Sequence, residues 1–110
     1  MSNARAGLTK DYREYLLDRF RKDPEEAAGY LNEAIRDGHL GTFLIALKDV
    51  IDADVGMSAL AEMTELHRVS LYKMLSGNGN PTIKSLEAVL DAIGLELRVA
   101  RKRRTRTRAS

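Results

Sequence analysis

Residues 68–73 read Arg-Val-Ser-Leu-Tyr-Lys, and they hold the densest set of groups able to read another molecule. Arg68, Ser70 and Lys73 carry hydrogen-bond donors, and an arginine fork fits the two acceptors of guanine in the DNA major groove. If this stretch is helical, Leu71 and Met74 take the inward side. Arg68, Val69, Ser70, Tyr72 and Lys73 then lie on the outer face or at the helix start. The chemistry would be direct reading of base edges. The alternative is an ordinary solvated helix face. For Tyr72, contact with DNA and packing on a neighbouring helix stand equally open.

Charge is concentrated elsewhere. Residues 98–110 hold Arg98, Arg101, Lys102, Arg103, Arg104, Arg106 and Arg108 with no acid, a charge of +7. Residues 1–97 hold 11 basic against 16 acidic side chains, or −5. An acidic body with a basic tail points to a polyanion partner for the tail. Any nucleic-acid contact by the body must come from a local surface. The tail has three readings: an arm along the DNA backbone, a segment that orders on an acidic partner, or a solubility tail without a specific partner.

Other chemistries find little support. There is no cysteine, which removes disulfides, thiolate zinc sites and cysteine nucleophiles. His39 and His67 have no triad or metal-ligand spacing. Glu25-Glu26 suits a helix start and Asp52/Asp54 a loop better than paired catalytic acids. No enzyme activity, cofactor or metal site is expected. With no Trp and 5% aromatic residues, aromatic base-stacking platforms are also unexpected. No apolar run reaches the ~20 residues of a membrane span, and the N-terminus lacks a signal-peptide layout. The expected location is the cytoplasm.

The elements that must position residues 68–73 are readable from caps and periodicity. At 110 residues there is room for one core. Thr9 can cap a helix from Lys10, with Tyr12, Tyr15, Leu16, Arg19 and Phe20 on one face. Asp23-Pro24-Glu25-Glu26 starts a second helix, with Ala27, Leu31, Ala34 and Ile35 inward and a stop at Gly38. The third runs from about Gly41 to Ala53 on a stripe of Phe43, Leu44, Leu47, Val50 and Ile51. Tyr12, Tyr15, Phe20 and Phe43 read as core or as a helix-docking surface.

After Gly56, Met57–Thr64 and Arg68–Leu75 form two short helices around the turn Glu65-Leu66-His67. Thr82 caps a last helix carrying Leu86, Val89, Leu90 and Ile93, ending at Gly94. Leu95, Leu97 and Val99 then alternate with Glu96, Arg98 and Ala100, which predicts a short strand. A lone strand needs a partner, so the same strand of a second copy is the expected dimer contact.

Residues 57–76 thus have the layout of a helix-turn-helix. Ala61 allows close helix approach, Leu66 plugs the turn, and Leu60, Leu71 and Met74 share the apolar contact. Leu60-Ala61-Glu62, Arg68, Leu71, Gly77, Asn80-Pro81-Thr82, Leu86 and Ile93-Gly94-Leu95 together resemble the lambda-repressor/Cro-like helix-turn-helix superfamily. More narrowly, Asp23-Pro24, Tyr30-Leu31-Asn32, Phe43-Leu44, Gly56 to Leu60, Leu71-Tyr72 and Gly79-Asn80-Pro81 resemble the addiction-module antidote proteins. That resemblance covers residues 8–100. Two positions depart from the superfamily pattern: Glu65 stands where the turn often has glycine, and His67 where Ser or Thr usually caps the second helix.

The resemblance implies a fold and a function. The fold is an all-α, lambda-repressor-like helix-turn-helix domain with two extra N-terminal helices and a short C-terminal strand. Within one domain, residues 8–40 are the helical pair, 41–97 the helix-turn-helix core and 98–110 the basic tail. The implied function is a sequence-specific DNA-binding regulator. It is the antitoxin of a two-gene operon that represses its own transcription and neutralises a RelE/ParE-like toxin. The partners would be double-stranded operator DNA, a small toxin and a second copy of the chain, with no membrane. Residues 10–37 could meet the toxin or simply complete the core. Base contacts fall to Arg68, Val69, Ser70, Tyr72 and Lys73. Phosphate contacts fall to His67, Asn78, Asn80, Thr82, Lys84, Arg101, Lys102, Arg103 and Arg104. Turn chemistry explains Asn78 and Asn80 equally well, and His67 is equally a helix cap. The alternative function is a protein-interaction module with a vestigial helix-turn-helix.

Overall fold

The computed structural model describes residues 10–102. Its secondary structure is entirely helical: α1 Lys10–Lys22, α2 Pro24–Arg36, α3 Leu40–Ala53, α4 Gly56–Thr64, α5 Arg68–Met74 and α6 Ile83–Ala92. Thr9 lies outside the described residues, so the expected α1 cap does too.

Local chemistry explains the boundaries. The Asp23 carboxylate accepts the Glu25 N–H at 3.0 Å, Pro24 opens α2, and Glu25 and Glu26 sit in its first turn. Gly38 follows α2 at φ 81°, a left-handed turn that costs glycine little. Thr82 caps α6, its hydroxyl accepting the Ser85 N–H at 3.0 Å. Helix α6 ends in a Schellman motif: the Leu95 N–H reaches the Leu90 carbonyl at 2.8 Å and the Gly94 N–H reaches that of Asp91 at 3.1 Å. The left-handed φ of 80° falls on Gly94.

The core sits on α3. Phe43, Leu44, Leu47, Val50 and Ile51 are all buried, with Ala46 and Ala53 beside them. Helix α3 packs against α1, α2 and α4, while α4 packs against α5 and α6. The first three helices therefore form one layer, and α4 hinges the α5–α6 pair onto it. Leu60 of α4, Leu71 and Leu75 around α5, and Val89 of α6 close the second half of the core, each at 1% exposure or less.

A buried charge joins the first three helices. Asp49 of α3 is buried and accepts from Arg13 of α1 at 2.8 Å and from the Tyr30 hydroxyl of α2 at 3.4 Å. Arg13 also approaches Asp52 at 3.7 Å. Satisfying that carboxylate offsets the cost of burying it.

Three expectations are corrected. Helix α1 turns Leu16, Leu17 and Phe20 to the core, whereas Tyr12 and Tyr15 are exposed and stack with centroids 6.1 Å apart, which overturns only the core reading of these two rings. Arg19 of the same helix hydrogen-bonds the Tyr15 hydroxyl and Glu26, which raises its pKa above the ordinary arginine value. Ile35 is exposed because α2 buries Ala27, Leu31 and Ala34 instead.

The third correction is the C-terminal strand, which is absent among the described residues. The Schellman bond takes the Leu95 N–H, and Leu95 and Leu97 pack against the core beside Leu31, Ile35, Phe43 and Leu90. The alternation marks an extended segment lying on helices. Val99 beyond it is fully exposed. Leu95 and Leu97 thus fold back on the protomer's own helices, and a charge placed at Leu97 would disturb that packing.

Candidate nucleic-acid interface

The turn between α4 and α5 determines which way α5 faces. Thr64 donates its hydroxyl to the Leu60 carbonyl at 2.8 Å and accepts the Leu66 N–H at 3.3 Å. Glu65 then adopts the left-handed region, φ 61° and ψ 22°, and is the one non-glycine residue to do so among those described. His67 is extended, φ −68° and ψ 139°, and α5 begins at Arg68. Leu66 packs partly into the core as the expected plug, and Ala61 is likewise half-buried. A left-handed backbone costs a side-chain-bearing residue roughly 1–2 kcal/mol. Glycine escapes that cost but loses more freedom on folding. Glu65→Gly should raise stability by about 0.5–1 kcal/mol, read as a higher urea midpoint; a lower midpoint would show that the Glu65 side chain contributes stability of its own.

Helix α5 buries Leu71, with Leu75 just past its end, and leaves Arg68, Val69, Ser70, Tyr72 and Lys73 all exposed. The structure thus brings Arg68, Val69, Tyr72 and Lys73 to one open surface, with Ser70 exposed on the same helix. It carries two cations and no acid. Arg68, Val69, Tyr72, Lys73 and Ser76 line a shallow depression there whose walls are mostly apolar. Tyr72 is exposed, and it also meets the neighbouring helix: Lys48 of α3 places its ammonium 5.8 Å from the ring centroid. Lys48 is itself held by Asp52 at 3.0 Å. Sequence reasoning missed Lys48, although a Lys and an Asp four apart on a predicted helix were visible as a pair.

The expected phosphate-contacting residues are more scattered. Asn78 and Asn80 are exposed in the loop after α5, where the Asn78 N–H meets the Ser76 hydroxyl at 3.3 Å. Thr82 uses its hydroxyl to cap α6, and Lys84 is exposed in the first turn of that helix. His67 stands at the N-cap position of α5 but makes no capping hydrogen bond, so the cap reading of His67 is corrected. An imidazole is a poor substitute for a Ser or Thr hydroxyl there. Arg101 and Lys102 are exposed, whereas Arg103 and Arg104 lie outside the described residues. Among the described residues no group of three potential metal ligands gathers.

A family described as "Probable addiction module antidote protein" matches residues 11–101. The chain belongs to this family. An uncharacterized protein of Haemophilus influenzae is 32% identical over 96 residues, which is 87% of this chain and 98% of that protein. No solved structure matches. The antidote-family match takes in all six helices and the segment over Leu95 and Leu97. Helices α1 and α2 therefore lie within the matched span, along with the short α4–α5 pair. Among the described residues, no helix of this antidote-family chain is long and apolar enough to cross a membrane.

Proposed function

We propose that this chain is a DNA-binding repressor and the antitoxin of a two-gene toxin–antitoxin operon. The observation that carries the DNA reading is the outward face of α5. It offers Arg68, Ser70 and Lys73 with no acid on the helix, in a body whose charge is −5. A helix of this kind, set after a short helix and a tight turn, fits the major groove, as in lambda-repressor-like helix-turn-helix proteins. Arg68, Val69, Ser70, Tyr72 and Lys73 read bases. His67, Asn78, Asn80, Thr82 and Lys84 lie toward the backbone, the Thr82 end of α6 offering free N–H groups to a phosphate. The chain works as a homodimer on two half-sites about one helical turn apart.

The antitoxin half of the reading rests on family membership. A RelE/ParE-like toxin docks on α1 and α2, where Tyr12 and Tyr15 form an exposed aromatic pair beside Arg19 and Glu26. Those rings fill no core position, which supports a surface role for them.

One observation favours a protein-interaction module with a vestigial helix-turn-helix. The recess at the start of α5, lined by Ser58, Ala61, Glu62, Glu65, Leu66, His67 and Arg68, carries two carboxylates that would oppose a phosphate. Footprinting on the DNA upstream of the chain's own gene, followed by a salt titration, separates the two readings. The repressor protects two half-sites, and its affinity falls steeply with salt. Absence of protection at low salt would leave the interaction module.

The same titration tests the tail. Deleting residues 101–110 removes six basic side chains. If they lie along DNA, the slope of log K against log salt becomes shallower by up to about five, at ~0.9 for each phosphate that is no longer neutralised. An unchanged slope would remove the tail from the duplex.

A further inference from the structure

The outer face of α5 is not uniformly polar. Val69 is 68% exposed, and it sits in the depression between the cations Arg68 and Lys73, with Tyr72 as one wall. The Tyr72 ring is backed by Lys48, which Asp52 holds in turn, so the wall is braced from α3. A valine so open contributes little to the core and does not serve solubility. Its flanking cations point to a polyanion as the molecule that covers it. In the major groove the apolar group that base edges present is the thymine 5-methyl.

We infer that Val69, walled by Tyr72, is a specificity-determining contact for a thymine methyl beside the base read by Arg68. The inference rests on the DNA reading above and names the base chemistry that this reading leaves open. Consecutive Cα atoms lie about 3.8 Å apart and base pairs stack about 3.4 Å apart. The thymine therefore falls within about two base pairs of the position whose preference depends on Arg68.

The test uses the full chain and a duplex selected by it from a random library. Each thymine in the selected site is replaced in turn by deoxyuridine, which deletes the methyl and keeps the pairing. Wild type should lose affinity about fourfold per methyl at one position in each half-site, the worth of one buried methyl-sized group. Val69→Ser should bind the thymine and deoxyuridine duplexes more nearly equally, because a polar hydroxymethyl replaces the apolar group that meets the methyl. Its helical circular dichroism should match wild type, since Val69 is outside the core.

Equal wild-type affinity for both duplexes overturns the inference while leaving the DNA reading intact. So does a Val69→Ser chain that discriminates as well as wild type, or a selected site with no thymine near the Arg68-dependent base. A chain that selects no duplex at all overturns the DNA reading and this inference with it.

Discussion

Leu60→Ala is expected to remove about 2–5 kcal/mol of folding stability. Leu60 is fully buried on α4, the helix that packs against α3, α5 and α6 together. Truncation loses the transfer free energy of the side chain and leaves a hole that three helices must close at once. Whole domains of this size hold only about 5–15 kcal/mol, so the variant approaches the edge of folding. The midpoint of thermal unfolding should fall by about 8 °C or more, at ~4 °C per kcal/mol at least. Val69→Ala on the exposed face of α5 supplies the control and should change the midpoint little. A loss below about 1 kcal/mol would mean the site collapses freely, and α4 would not be the hinge between the two halves of the core.

Most of that core is legible in the sequence, because helical periodicity and burial obey the same geometry. Phe43, Leu44, Leu47, Val50 and Ile51 recur at helical spacing and all are buried. Asp23 and Thr82 are cap residues by type and cap in fact. Helix α1 shows how the logic slips. Its inward face is Arg13, Leu16, Leu17 and Phe20, all at helical spacing, and the first of these is an arginine. The aromatic rings of Tyr12 and Tyr15 draw the face round by one position, so that it reads through Leu16, Arg19 and Phe20 instead. What makes Arg13 acceptable there is Asp49, 36 positions away in α3 and itself buried. Long-range ion pairs leave no local pattern, and neither partner can be placed without the other.

The candidate interface divides the same way. Leu71 and Met74 identify the inward side of α5, and the outward residues follow from that alone. The left-handed turn at Glu65 follows from the resemblance, since the position commonly holds glycine, and the observed φ of 61° agrees. Lys48 behind Tyr72 is out of reach of the sequence, because the approach of α3 to α5 is a tertiary fact. The C-terminal alternation misleads for a physical reason. Period two describes any extended chain with one side on an apolar surface, whether that surface is a sheet or, as under Leu95 and Leu97, a set of helices.

Gly79→Ala should cost about 3 kcal/mol, the upper end of overpacking effects. After α5 the chain turns back on itself: Ser76 N–H bonds the Lys73 carbonyl at 3.3 Å and Gly79 N–H bonds the Ser76 carbonyl at 3.0 Å. This return brings Gly79 against the backbone at the end of α5. A methyl group there would overlap the Met74 carbonyl oxygen, which is main chain and cannot swing aside as a side chain would. The same loop is pressed from the other side, where a Cβ on Gly41 at the start of α3 would overlap the Gly77 carbonyl oxygen. The loop that carries Asn78 and Asn80 is thus held between α3 and α5 by two contacts that exclude a side chain. Gly29 provides the opposite case: it lies inside α2 with open space where its Cβ would be. Gly29→Ala should stabilise by about 0.5–1 kcal/mol through helix propensity. Urea unfolding of the two variants beside wild type gives the comparison, with opposite signs expected for the same chemical change. If Gly79→Ala unfolds at the wild-type midpoint, the loop does not close onto α5 as described. A destabilised Gly29→Ala would place a neighbour on the outer face of α2, where an associated second chain is the first to consider.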